Sequence, residues 1–110
     1  MKRRSLRQLK RAVANAPGKP EKAVAFFDLG AFHDNNGREA TAVPNYQNAI
    51  RLGLDREREA MARAWLASSL FKTKRFRAAL KEISAANKLP QTESLRQFLL
   101  GLEKRIRVRI

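Results

Sequence analysis

A chain of 110 residues with a net charge of +14 and no cysteine has room for one domain and excludes both disulfides and thiolate metal sites. No apolar run approaches the length that spans a bilayer, and the basic N-terminus lacks the apolar core of a secretory signal. The lack of thiols permits a reducing compartment, and a cytoplasmic location is the expectation. The charge is uneven: residues 1–20 carry +7, residues 21–60 carry −2 and residues 61–110 carry +9. Such a distribution bears on partners and solubility, not on fold.

Residues 5–16 predict a short amphipathic helix, with Leu6, Leu9, Val13 and Ala16 at helical spacing and Ser5 placed to cap it. Pro17-Gly18-Lys19-Pro20 ends it, because Pro and Gly break the hydrogen-bond ladder. An Arg-rich, acid-free targeting presequence is the rival reading of this segment. Pro20 can open the next helix, where its missing N–H costs nothing, and Glu21 suits the positive first turn. That helix is expected to end near Asn36. Phe26, Leu29 and His33 share one of its faces, and Gly30 lies on the same face with no side chain, which lets a neighbouring helix approach.

Asp34-Asn35-Asn36-Gly37 is turn chemistry, with Gly37 suited to a left-handed residue. A second helix is expected from about Arg38 to Leu52, presenting Ala42, Tyr46 and Ala49 as a small-large-small stripe and kinking at Pro44. The two form a close antiparallel hairpin. Asp55 is the expected N-cap of the next helix, which continues through Trp65 to about Thr73. Another runs from about Phe76 to Asn87 and stops at Leu89-Pro90. Thr92 then caps a final helix with Leu95, Phe98, Leu99, Leu102 and Ile106 on one stripe.

The series Phe26, Leu29, Gly30, His33, Ala42, Tyr46, Ala49 resembles the tetratricopeptide repeat. His33 stands where that family usually has Tyr, and Leu54 where it has a closing Pro; neither removes a packing position. A second copy follows in Leu66, Ala67, Leu70, Lys74, Phe76, Ala79, Ile83, Ala86 and Pro90. The resemblance covers about residues 23–105 and extends to small, mostly bacterial single-domain tetratricopeptide proteins. It implies an all-α fold: five helices, forming two tetratricopeptide-type hairpins with an N-terminal and a C-terminal capping helix. The expected bounds within a single domain of residues 1–110 are about 23–54 and 60–91 for the repeats. The terminal helices are expected at about 5–16 and 92–107. Two repeats are few for an independent array, so the terminal helices must contribute core.

In the family, the first helix of each repeat lines a concave groove. Transferred by position, the first repeat would present Val24, Phe27, Ala31, Asp34 and Asn35, and the second Met61, Ala64, Ser68, Phe71 and Lys72. Chaperone-binding relatives hold a peptide's terminal carboxylates there with Lys and Asn. Phe27, Ala31 and Ala64 occupy places where that clamp needs polar donors, so that activity is not expected. A mostly apolar groove with Lys72 at one end suits an amphipathic helix or extended peptide. The competing reading is that Phe27 and Phe71 are simply covered by the terminal helices.

No constellation in the chain argues for an enzyme. His33 is the lone histidine and lacks the neighbours of a metal set. Asp28 and Asp34 do not converge on one helix face as an acid–base pair would, and Ser68-Ser69 has no base at helical spacing. No cofactor is expected. The cations Lys72, Lys74, Arg75, Arg77 and Lys81 fall in a stretch without an acid between Arg63 and Glu82. Further cations stand at Lys2, Arg3, Arg4 and Arg7 and at Lys104, Arg105, Arg107 and Arg109. They make a polyanion surface the runner-up, against solvated helix ends that complement the helix dipole.

The expectation is a non-enzymatic adaptor that binds a peptide or helix of a protein partner in its groove, with no membrane association. A basic module for RNA, DNA or another polyanion is the alternative. Stacking of terminal helices into a homo-oligomer is a further option, opposed by repulsion between the basic ends.

Overall fold

The computed structural model describes residues 4–110 and contains six α-helices and no strand among them. They are α1 (Leu6–Asn15), α2 (Lys19–Asn35), α3 (Glu39–Leu52), α4 (Arg56–Lys72), α5 (Phe76–Ala86) and α6 (Glu93–Arg107). The expected count of five was one too small, since two hairpins and two covering helices require six. Helix α2 packs on α3 and α4 on α5; α3 also packs on α4, α1 lies against α2, and α6 rests on α4 and α5. The stack measures 42 × 27 × 27 Å.

The helix starts follow local capping chemistry. Ser5 accepts from the Gln8 amide while Gln8 reaches back to the Ser5 amide, a complete capping box. Asp55 and Thr92 accept from the amides of Arg58 and Leu95. Helix α3 runs unbroken through Pro44, which is exposed.

Both hairpins turn in the same way. In the first, the Arg38 amide donates to the His33 carbonyl and that of Gly37 to Asp34, with Gly37 at φ +72°. In the second, the Arg75 amide donates to Leu70 and that of Lys74 to Phe71, with Lys74 at φ 64°. These are two Schellman closures at equivalent positions. The second places a lysine in the left-handed conformation that costs an L-residue about 1–2 kcal/mol.

Small residues set the helix separation. Ala42, Ala49, Ala67, Ala79 and Ala86 are fully buried, and Gly30 meets the ring of the equally buried Tyr46. The Tyr46 hydroxyl donates to Asp34 Oδ2 at 3.1 Å, and burial together with that carboxylate holds its proton well above the ordinary tyrosine range. Arg63 ties the second hairpin together, contacting Glu59 within α4 and Glu82 on α5 at 2.8 Å each. On α6, Leu99, Leu102 and Ile106 are buried and Leu95 half-buried. Phe98 departs from the expected stripe. It sits about 100° around the helix from Leu99 and turns toward the concave side, 36% exposed.

His33 packs as the template implies and adds a polar contact: Arg38 Nε donates to its Nδ1 at 3.0 Å. Burial, then the nearby cations Arg38 and Lys10, lower its affinity for a proton. The unfolded chain is therefore protonated first, at about pH 6.5. His33's contribution to stability is complete above that value and is lost as pH falls from there through the lower folded-state value. We expect the melting temperature to drop between about pH 7.5 and 5.5. His33→Leu, which copies Leu70 of the second repeat, should flatten that slope. An unchanged slope in His33→Leu would remove the assignment, since the chain has no other histidine.

Candidate functional site

The concave side is formed by α2, α4 and α6, and two adjoining cavities lie along it. The larger, about 520 Å³, is bounded by Glu57, Met61 and Trp65 of α4, the Pro90–Thr92 segment, and Ser94, Leu95 and Phe98 of α6. The smaller, about 380 Å³, is lined by Ala31, Asp34 and Asn35 of α2, Tyr46 of α3, Trp65, Ser68 and Lys72 of α4, and Phe98. Trp65 and Phe98 belong to both, so the two form one groove with an aromatic saddle at its middle. Only the smaller cavity contains a cation, Lys72, and Asp34 lines it as well. Glu57 borders the larger, and Lys72 Nζ lies 3.7 Å from Glu39 Oε1.

The groove positions transferred from the family separate into four groups. Ala31, Asp34, Asn35, Ser68 and Lys72 come together on the smaller cavity, and Met61 lines the larger. Val24 faces a different cleft between α1 and α2, beside Pro17, Glu21 and Asp28. Phe27 and Ala64 are buried. Phe27 lies in the core because Trp65 stacks on it, ring centroids 5.3 Å apart and planes 11° from parallel. Phe71 is half-buried against Phe76, with the guanidinium groups of Arg105 and Arg109 over its ring at 5.6 and 5.0 Å. Phe27 is thus covered from α4 rather than from a terminal helix, and Phe71 only partly, by arginines from the C-terminal end of α6.

Trp65 and Phe98 were not among the transferred positions. Trp65 could have been found by periodicity, since Met61, Trp65, Ser68 and Lys72 recur at four, three and four along one helix face. Nothing local marks Phe98, whose direction depends on how α6 crosses α4 and α5.

Lys72, Lys74, Arg75, Arg77 and Lys81 are all exposed around the α4–α5 turn and along α5. Arg4 pairs with Asp28 at 2.6 Å and Arg107 with Glu103 at 2.9 Å; Lys2 and Arg3 lie outside the described residues. Among the described residues no group of three or more His, Cys, Asp or Glu side chains is arranged to hold a metal. Ser69 is buried and its hydroxyl has no hydrogen-bond partner; no His, Asp or Glu engages it.

Helical hairpins stacked in repeat register, with close Gly and Ala contacts and an open concave face, define a helical-repeat scaffold. A family model described as Tetratrico peptide repeat matches residues 23–103, and the chain belongs to the tetratricopeptide repeat family. Comparison with curated proteins and with solved structures finds no match. Repeats of this family generally mediate protein–protein interaction and are generally non-enzymatic scaffolds. No helix among the described residues is long and apolar enough to cross a membrane.

Proposed function

We propose that this chain is a non-enzymatic adaptor that holds a segment of a protein partner in the groove between α2, α4 and α6. The observation that carries the reading is the aromatic saddle of Trp65 and Phe98, which joins both cavities and leaves Phe98 partly exposed. An apolar side chain seated there removes ring surface from water, worth roughly 25 cal/mol per Å² of apolar area covered. Met61 and Leu95 extend the apolar wall on one side, while Asp34, Asn35 and Lys72 supply polar contacts on the other. An amphipathic segment with apolar side chains along one face and an acid at the Lys72 end fits this arrangement.

Affinity capture at about 0.3 M salt tests the reading, because contacts made only to phosphates weaken steeply at that concentration. A protein partner should be retained by the parent and released by Phe98→Glu, which puts a charge on the saddle while leaving Leu99, Leu102 and Ile106 in the core. Val24→Glu, outside the groove, should retain it. Equal capture by the parent and Phe98→Glu would overturn the groove as the binding site.

A further inference from the structure

A second surface stands apart from the saddle, at the end of the molecule where α4 turns into α5. Lys72 closes α4, Lys74 and Arg75 form the turn, and Arg105 and Arg109 arrive from the C-terminal end of α6. Phe71 draws these segments together: the Arg105 and Arg109 guanidinium carbons lie over its ring. Such contacts hold two flexible side chains in place while both remain exposed. All five cations are exposed. The polar contacts they make are few. Lys72 faces Glu39 at 3.7 Å, and Arg109 Nη1 donates to the Arg105 carbonyl at 3.0 Å.

Helix ends alone do not account for this charge. The C-termini of α4 and α6 together supply about one negative charge, against five cations. Arg77 and Lys81 continue the positive surface along α5, whose first turn contains no acid. Separate cations spread over open surface match a row of separate phosphates better than one enclosed anion. The Phe71 ring is half-buried against Phe76 and already carries two guanidinium groups, which makes it a poor platform for stacking a base.

We propose that this end of the molecule binds nucleic acid through its phosphate backbone, without reading base sequence. The surface meets the charged end of the groove at Lys72 but uses neither Trp65 nor Phe98. Binding needs no change of shape, since the cations are already assembled.

The test is fluorescence anisotropy with a labelled DNA duplex of about 20 base pairs, in two unrelated sequences, titrated at several salt concentrations. Five phosphate contacts predict a slope of log K against log salt of about −4 to −5, a loss of roughly a hundredfold between about 50 and 150 mM. Both sequences should bind alike. Arg75→Gln with Arg105→Gln and Arg109→Gln should lower the slope by about three and cost more than tenfold in affinity at the lowest salt. Arg75→Gln with Arg77→Gln and Lys81→Gln, which touches no aromatic contact, should also weaken binding and guards against a packing defect at Phe71. The matched control is Lys19→Gln with Lys22→Gln and Arg56→Gln, at the opposite ends of α2 and α4. It removes the same charge and should change affinity by less than about threefold. Phe98→Ala should bind as the parent does. Losses in the control equal to those at the turn would show diffuse charge only and overturn the site. So would undetectable binding, or displacement of the duplex by poly-glutamate at equal charge concentration, which would make an acidic protein segment the ligand.

Discussion

A chain ending at residue 92 is expected to lose cooperative unfolding altogether. Residues 93–110 contribute Leu99, Leu102 and Ile106, all 1% exposed or less, and each buried branched side chain is worth about 1.5–3 kcal/mol. The three together approach the whole net stability of a domain, about 5–15 kcal/mol. Their loss also uncovers the faces of α4 and α5 on which α6 rests, including Leu80 and Ile83. The expected product keeps helical far-ultraviolet dichroism, melts without a sharp transition and binds a hydrophobic dye. A truncated chain with the parent's melting cooperativity would show that α6 is an appendage rather than part of the core.

Gly30→Leu is expected to be the most damaging single substitution in the first hairpin. Even a Cβ at Gly30 would stand 2.8 Å from Tyr46 Cδ1 and 2.9 Å from Cε1. The ring has little room to yield, since Tyr46 is fully buried and its hydroxyl is held by Asp34. Overpacking of this kind costs about 1–3 kcal/mol and more where the neighbour is fixed, so about 3 kcal/mol or more is expected for the leucine. The second repeat solves the same packing problem with Ala67 and Ile83 at the positions equivalent to Gly30 and Tyr46. Gly30→Ala alone should therefore destabilise despite its gain of about 1 kcal/mol in helix propensity. Combined with Tyr46→Ile it should recover, with a coupling of at least about 1 kcal/mol in a double-mutant cycle. Independent, additive losses would mean that these two positions do not meet.

Features fixed by local chemistry could be read from the chain, and those made by long-range contact could not. Ser5, Asp55 and Thr92 cap their helices because a short polar side chain before an apolar periodic run satisfies amides two or three residues on. Gly37 announces a left-handed turn; Lys74 adopts the same conformation with nothing in its own chemistry to show it. The repeat pattern identified the family because each position is defined by contact within one hairpin. The groove was only half legible. Its α4 wall follows helical spacing, whereas Phe98 and the pairing of Arg105 and Arg109 with Phe71 depend on where a distant helix lands. Phe27 shows the limit from the other side: a position that lines the groove by template is sealed here by the neighbouring Trp65.

The most direct test of the binding groove places a photo-crosslinking benzoylphenylalanine at position 98, with a second chain carrying it at exposed Ala14 on α1. Both are irradiated in extract from the source cells after nuclease treatment. A protein adduct formed through position 98, absent through position 14 and suppressed by adding Glu at Met61 (Met61→Glu), is the expected result. Adducts of equal yield from both positions, or none through position 98, would contradict a partner-binding groove built around Trp65 and Phe98.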